Sequence, residues 1–445
     1  MFRFMQWSLN DYETKVGTFD GTYVDRLGNW LINTALFEQA WYTVCSGPVK
    51  WWISQQLCSY TVGAWTIFIF VEGKHRQIKY AWMYMLLGQL VAISEITMAP
   101  SVAELKGEEL PNPTAGLKAK LSYPFYYPYF DVSEKFPPTQ LFEHTDAGAN
   151  ADPAKPNLLT PNTTTRNISP YIGTEITGVQ ISQLGKEGLD ELALFAAERK
   201  VLLFRDQDFK DIGPERQIAI ARHFGPIQRH PTSGNVKGYP EFHVVYRDPE
   251  HDIFREYRGR DQVSGVSWHS DISYEKQPPS TTFFFILDQP GVGGDTLFLS
   301  QVEAYRRLSP EFQKRLEGLR AVHSAVYQAE FSERRGGPVR REPVETEHPL
   351  VRKHPVTGEK ALYVNQGFTR RIVGFKKEES DLILNFLFDH IAKGADFQIR
   401  ATYAPGTVVV WDNRVTAHSA TVDFENTILR HAVRLTPQAE VPIPA

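Results

Sequence analysis

"TVVVWDNRVTAHSA", residues 407–420, opens with the β-branched run Thr407–Val410, adds Trp411 and stops at Asp412-Asn413. Branched and aromatic residues bounded by turn formers read as a short strand. The same signature recurs in "KVLLFRD" (200–206), "TTFFFILD" (281–288), "DTLFLS" (295–300), "ALYVN" (361–365) and "HAVRLTP" (431–437). Four stretches have helical spacing instead: "LDELALFAAER" (189–199), "ERQIAIARHFG" (215–225), "QVEAYRRLSPEFQKRLEGL" (301–319) and "KKEESDLILNFLFDHIAKG" (376–394). Many strands, long connections and few helices predict a mainly β chain with flanking helices, built on a jelly-roll of the cupin kind. "GVGGDT" (291–296) opens a strand rather than a helix, so it is no dinucleotide fingerprint.

The chain has 445 residues, is 42% hydrophobic and 22% charged, and carries a formal net charge of -4. Nothing in that balance calls for nucleic acid as a partner. Two Cys exclude a disulfide framework and a Cys-based zinc site. The first residues lack the basic-then-apolar order of a secretory signal, which places the expected protein in the cytoplasm. Composition breaks near Met98. Seven of nine Trp, both Cys and all five Met lie at or before it, with only Pro48 among 29 Pro. Three regions follow: an apolar, helical N-terminal segment over 1–97, a Pro-rich arm over 98–170 and a catalytic domain over 171–445. Apolar runs at 57–73 and 80–96 flank the basic "KHRQIK". They read as a membrane hairpin, as a helical pair packed on the rest, or as a segment fused ahead of an independent start at Met98. Whether identical chains associate is left open.

Two His-x-Asp pairs compete for chemistry. "EHTD" (143–146) lies in the Pro-rich arm, where a loop is expected to leave His144 and Asp146 without the locked rotamers that a metal ligand needs. "WHSD" (268–271) precedes a firm strand, and on an extended chain His269 and Asp271 share a face while Trp268 walls the site. A non-haem Fe(II) centre needs a third ligand and keeps three positions open. His418, 149 residues beyond His269, supplies it. In "RHAVR", Arg430 and Arg434 are four apart and face one side of a strand, where they call for anions. A dicarboxylate such as 2-oxoglutarate provides one, chelating the metal at its keto acid end and meeting Arg at the other. Thr296 can add a hydroxyl bond. His431 falls on the opposite face and reads as structural. Arg414 reads as an ion-pair member, and Arg370–Arg371 as a solvated face.

The ordered set of His269-x-Asp271, "GGDT", "WDNRVTAHSA" and "RHAVR" resembles the taurine dioxygenase family, over about Tyr171 to Pro437. The resemblance implies a double-stranded β-helix core, with iron held by His269, Asp271 and His418. It implies 2-oxoglutarate on Thr296 and Arg430, with Arg434 beside them and facing substrate, and O2 as oxidant. The reaction it implies couples decarboxylation of 2-oxoglutarate to hydroxylation of a small organic acid. In sulfonate-cleaving members a His after an "FG" turn holds the sulfonate; His230 in "HFGPIQRHPTSGN" matches it, while Ser233 stands where the taurine enzyme has Tyr. Phe368 is the candidate apolar wall. Three functions stay open on the sequence: an alkyl sulfonate dioxygenase, the same chemistry on a carboxylate or secondary-metabolite scaffold, and a membrane-associated binding protein with an idle β-helix.

Overall fold

The strand Thr281–Asp288 is buried on both faces. Phe283 and Phe285 enter one apolar cluster, Phe284 and Ile286 another. Successive side chains on a strand feed opposite layers, so an unbroken apolar run marks a strand covered twice. The computed structural model describes residues 122–247, 267–421, 423–424 and 429–445.

Two sheets position the site. Their strands in chain order are β1 (Thr164–Asn167), β2 (Thr174–Thr177), β3 (Val201–Phe204), β4 (His243–Arg247), β5 (Thr281–Asp288), β6 (Thr296–Ser300), β7 (Gln398–Ala401), β8 (Val408–Asp412), β9 (Thr416–Ala420) and β10 (Arg430–Leu435). The large sheet runs β1-β2-β3-β8-β5-β10-β4, antiparallel except for β2 against β3. The small sheet runs β7-β6-β9, antiparallel throughout.

One face of the large sheet, with Leu202, Phe204, Phe283, Phe285, Val408, Val410 and Val433, packs in a cluster with helix α1 (Lys186–Arg199) and helix α2 (Pro214–Arg222) through Leu192, Ala196, Ile218 and Ala221. Its other face, with Leu203, Phe284, Val409, Trp411 and Ala432, meets Phe298 of β6 and Ile399 of β7. Leu299 and Ala417 on the far face of the small sheet are covered by Leu384, Leu387 and Ile391 of helix α3 (Lys377–Lys393). The chain is therefore mainly β, layered so that each apolar sheet face is buried.

The fourteen residues 407–420 cross between the sheets. β8 belongs to the large sheet and β9 to the small one, and the turn at 413–415 joins them. Ala417 faces α3, so His418 faces the space between the sheets, where Trp411 and Phe298 lie 5.2 and 5.6 Å from its ring.

Two sequence expectations change. The helix expected over 301–319 is two helices, Gln301–Arg306 and Pro310–Leu316; Ser309 caps the second by accepting from Phe312 N, and Pro310 takes its first position. The strand expected over 361–365 is shorter and shifted, Lys360–Leu362. The described part of the arm is loop-rich as expected, yet Tyr126 and Leu158 enter the core, and Tyr126 Oη donates to Gln217 Oε1 at 3.0 Å. No helix among the described residues is long and apolar enough to cross a membrane. The apolar runs at 57–73 and 80–96 lie outside the described residues.

Candidate active site

His269 and His418 pair through the backbone. His269 N donates to His418 O at 3.0 Å and His418 N to His269 O at 2.8 Å. The His269 Nδ1–H donates to the Ser267 carbonyl at 2.9 Å, which leaves the Nε2 lone pair free. That Nε2 lies 3.7 Å from Asp271 Oδ1, and His418 Nε2 lies 3.4 Å from the same oxygen. Asn413 fixes the Asp271 backbone on both sides: its Oδ1 accepts from Asp271 N at 2.8 Å and its Nδ2 donates to Asp271 O at 3.1 Å. Ser270 Oγ ties the intervening residue to Thr416 O at 2.7 Å.

The local geometry differs from the expected extended chain. Residues 271–274 form a turn, with Ile272 at a φ of 39°. Asp271 meets the two imidazoles because Asn413 holds that turn, not because of strand alternation. Trp268 does not wall the site; it packs with Leu299 and Ala417 on the far side of the small sheet. Phe368 does reach the site, with its ring edge-on to His269 at 6.3 Å, inside a small cluster with Ile272 and Tyr274.

Arg434 Nη1 donates to Asp271 Oδ1 at 2.6 Å, and Nη2 donates to His243 Nδ1 at 2.6 Å. Burial alone pushes the Asp271 carboxyl up, but Arg434 and the two imidazoles outweigh it and hold the group far below the carboxylate range. Burial, then the neighbouring His418, lowers His269 to about 3, so its imidazole is neutral and able to offer a lone pair to a metal. The His230 ring lies 4.4 Å from the His243 ring, tilted 48° to it, and is lowered to about 3 by burial and by Arg434. Its Nδ1 accepts from Thr232 N and Ser233 N, so His230 caps its turn while its ring lies against His243.

Thr296 and Arg430 form a second group. Arg430 Nε donates to Gly294 O at 2.8 Å, and its guanidinium lies 5.8 Å from the Phe284 ring. Tyr403 donates to Thr296 Oγ1, and burial raises its phenol to about 12, so it stays protonated. Arg430 and Arg434 share the inner face of β10, but a register shift against β5 falls between His431 and Ala432. His431 faces outward as expected, with Nε2 bonded to Tyr126 O at 2.9 Å. His243 and Tyr403 were not anticipated. Each meets a neighbour on another strand or loop, a pairing that no local pattern announces.

His144, Asp146 and Glu440 also converge as three donors. The Arg414 guanidinium, however, already bonds both carboxylates as well as Asp412. This is a buried ion-pair node. Asp146 is nevertheless locked: it caps the 3₁₀ turn Ala147–Asn150 and is 8% exposed.

Residues 164–436 match the family described as "Taurine catabolism dioxygenase TauD, TfdA family". The chain belongs to the TauD/TfdA family. It is 50% identical over 327 residues to the alpha-ketoglutarate-dependent dioxygenase cnsM of Penicillium expansum, covering 73% of this chain and 91% of that one. It is 44% identical over 330 residues to an alpha-ketoglutarate-dependent sulfonate dioxygenase of Saccharomyces cerevisiae, covering 73% and 80%. A crystal structure of a putative alpha-ketoglutarate-dependent taurine dioxygenase from Burkholderia xenovorans superposes with a TM-score of 0.53 at 30% identity, over 63% of this chain and 94% of that one. The TauD/TfdA chain is thus an enzyme, an Fe(II)- and 2-oxoglutarate-dependent dioxygenase, and the idle-domain alternative falls.

The residues fit Fe(II). Two imidazoles and one carboxylate converge, Asp271 Oδ2 and His418 Nδ1 are buried without partners, and nitrogen and oxygen donors with open positions suit that ion. For 2-oxoglutarate, removing the hydroxyl that fixes Thr296 costs one hydrogen bond of about 1 kcal/mol. In Tyr403→Phe the KM for 2-oxoglutarate is expected to rise roughly fivefold while kcat changes little. Succinate release against co-substrate concentration measures it; an unchanged KM would remove Thr296 and Tyr403 from the co-substrate site.

Proposed function

We propose that the chain oxidises an alkyl sulfonate at the carbon bearing sulfur and releases sulfite and an aldehyde. In this reading the two facing sheets are a double-stranded β-helix. His269, Asp271 and His418 hold Fe(II), and Thr296 and Arg430 hold the far carboxylate of 2-oxoglutarate. Arg434 and His230 hold the substrate anion, and Phe368 lines the apolar side. The observation that carries it is the set of donors beside the metal ligands: Arg434 touches Asp271, and the His230 ring lies against the ring that Arg434 engages. The sulfonate dioxygenase of Saccharomyces cerevisiae supports the same substrate class.

Fe(II), with 2-oxoglutarate and O2, supplies hydroxylation of a nearby C–H bond and leaves succinate and CO2. The protein's residues decide which bond is nearby. Arg434 pairs the anion while tied to Asp271, so it sets the distance from sulfur to the metal ligands. Phe368, Ile272 and Tyr274 keep the flank of His269 apolar. A carbon bearing both hydroxyl and sulfonate then collapses: the hydroxyl proton leaves, C=O forms, and the C–S pair departs on sulfur as sulfite.

The test supplies the purified protein with Fe(II), 2-oxoglutarate, O2 and a series of alkyl sulfonates. Sulfite and succinate are expected in equal amounts. Succinate without sulfite, lost in His269→Ala, would keep the dioxygenase and transfer the substrate to carboxylates or secondary-metabolite scaffolds.

A further inference from the structure

His243 lies across from Arg434 in the register of β4 against β10, so both side chains stand on one sheet face. Arg434 has no acceptor atom. The His243 Nδ1 that meets Arg434 Nη2 at 2.6 Å must therefore accept, which places the His243 proton on Nε2. The neighbouring imidazole has the same tautomer for another reason: His230 Nδ1 accepts from two backbone N–H groups, at 3.3 and 3.1 Å, so its proton is also on Nε2. Neither Nε2–H meets an acceptor among the described residues. Arg434 Nε is buried and also lacks a partner. Two imidazoles in ring contact and one guanidinium thus present donors on three side chains, with no acceptor among them.

We infer that His243 is a substrate-binding residue and that, with His230 and Arg434, it selects a tetrahedral R–SO3 headgroup over a planar carboxylate. The inference rests on the sulfonate reading above and adds its specificity. A carboxylate has two oxygens in one plane; a sulfonate or a sulfate ester fans three oxygens around sulfur. Three donor side chains are satisfied by the second shape. Beside a carboxylate one donor stays unpaired in a water-poor site, and sites built of hydrogen-bond donors reject ligands that leave a donor unpaired.

The test uses the full chain loaded with Mn(II) and 2-oxoglutarate, without O2, so that binding is read without turnover. Calorimetry measures 1-hexanesulfonate, hexyl sulfate and heptanoate. His243→Asn keeps an oxygen where Nδ1 accepts from Arg434 and deletes the distal donor; His243→Gln returns an N–H near the Nε2 position. His243→Asn is expected to weaken hexanesulfonate and hexyl sulfate about tenfold, or about 1.4 kcal/mol, while heptanoate stays within about twofold. His243→Gln is expected to recover most of the loss. Equal weakening of all three ligands in both variants would reduce His243 to a positioning residue for Arg434, and unchanged affinities would remove it from the site. If the wild-type protein binds heptanoate as tightly as hexanesulfonate, the sulfonate reading itself fails. Binding of hexyl sulfate alone would keep the cradle and move the substrate to sulfate esters.

Discussion

Asp271→Ala is expected to abolish succinate release and to weaken Fe(II) binding by more than about 100-fold. The scale comes from the neighbours of metal ligands, whose loss typically costs roughly 10–100-fold in affinity. Asp271 is the proposed ligand itself and the only carboxylate among the three donors. Its removal also frees Arg434, which donates to it at 2.6 Å, and leaves a cation beside the metal. Asn413→Ala is the graded companion. It touches no ligand atom, but it loses both bonds that hold the Asp271 backbone in its turn, so a loss within that 10–100-fold range is expected. Co(II) or Fe(II) titration of the full chain measures affinity, and succinate measures turnover. An Asp271→Ala protein that still binds metal within tenfold of wild type would show that the convergence on Asp271 Oδ1 is not the metal centre.

The three converging donors were legible because they are residue types with simple placements: His269 and Asp271 two apart, His418 just past an apolar strand. The reason given for their convergence was not the operative one. Strand alternation does not bring Asp271 to His269; a turn gripped by Asn413 does, and Asn413 comes from the β8–β9 turn, 142 residues away. The same non-locality hid His243, whose contact with Arg434 exists only through their register across β4 and β10. Tyr403 was hidden likewise, since it meets Thr296 from 107 residues away. Trp268 was misplaced because a single residue before a turn carries no period to say which layer it feeds. By contrast, β3, β5 and β8 were legible as strands because their apolar runs have no polar face, which their burial between helices and the small sheet explains. The break at Ser309-Pro310 carried its own signal, a capping Ser followed by Pro, which the apolar spacing across 301–319 overrode.

Arg414→Met is expected to destabilise the fold by about 3–5 kcal/mol, the range for removing one partner of a buried ion pair. Arg414 is 1% exposed on its side chain and bonds Asp412 twice, at 2.9 and 2.6 Å, Glu440 at 3.1 Å, and Asp146. His354 Nε2 adds a contact to Asp412 Oδ2 at 2.9 Å. Methionine fills much of the volume and leaves those carboxylates facing one another. The pH dependence identifies the cause. In the wild type burial alone pushes Asp412 and Glu440 up, yet Arg414 and its neighbours hold both below their ordinary values. Their contribution is therefore present above the unfolded carboxylate pKa and is lost as pH falls through the folded one. Without Arg414 burial prevails, the folded pKa values rise above the unfolded ones, and acid relieves the repulsion. The destabilisation is thus expected to be largest near pH 8 and to shrink towards pH 5, as measured by urea unfolding at a series of pH values. Arg414→Lys, with a point charge and no planar fork, should lie between the two. A loss that is the same at every pH would mean that packing, and not the charge node, is what Arg414 supplies. Because Asn413 is the next residue, the same variant should also bind Fe(II) more weakly; the arm that carries Asp146 is then coupled to the metal centre through one guanidinium.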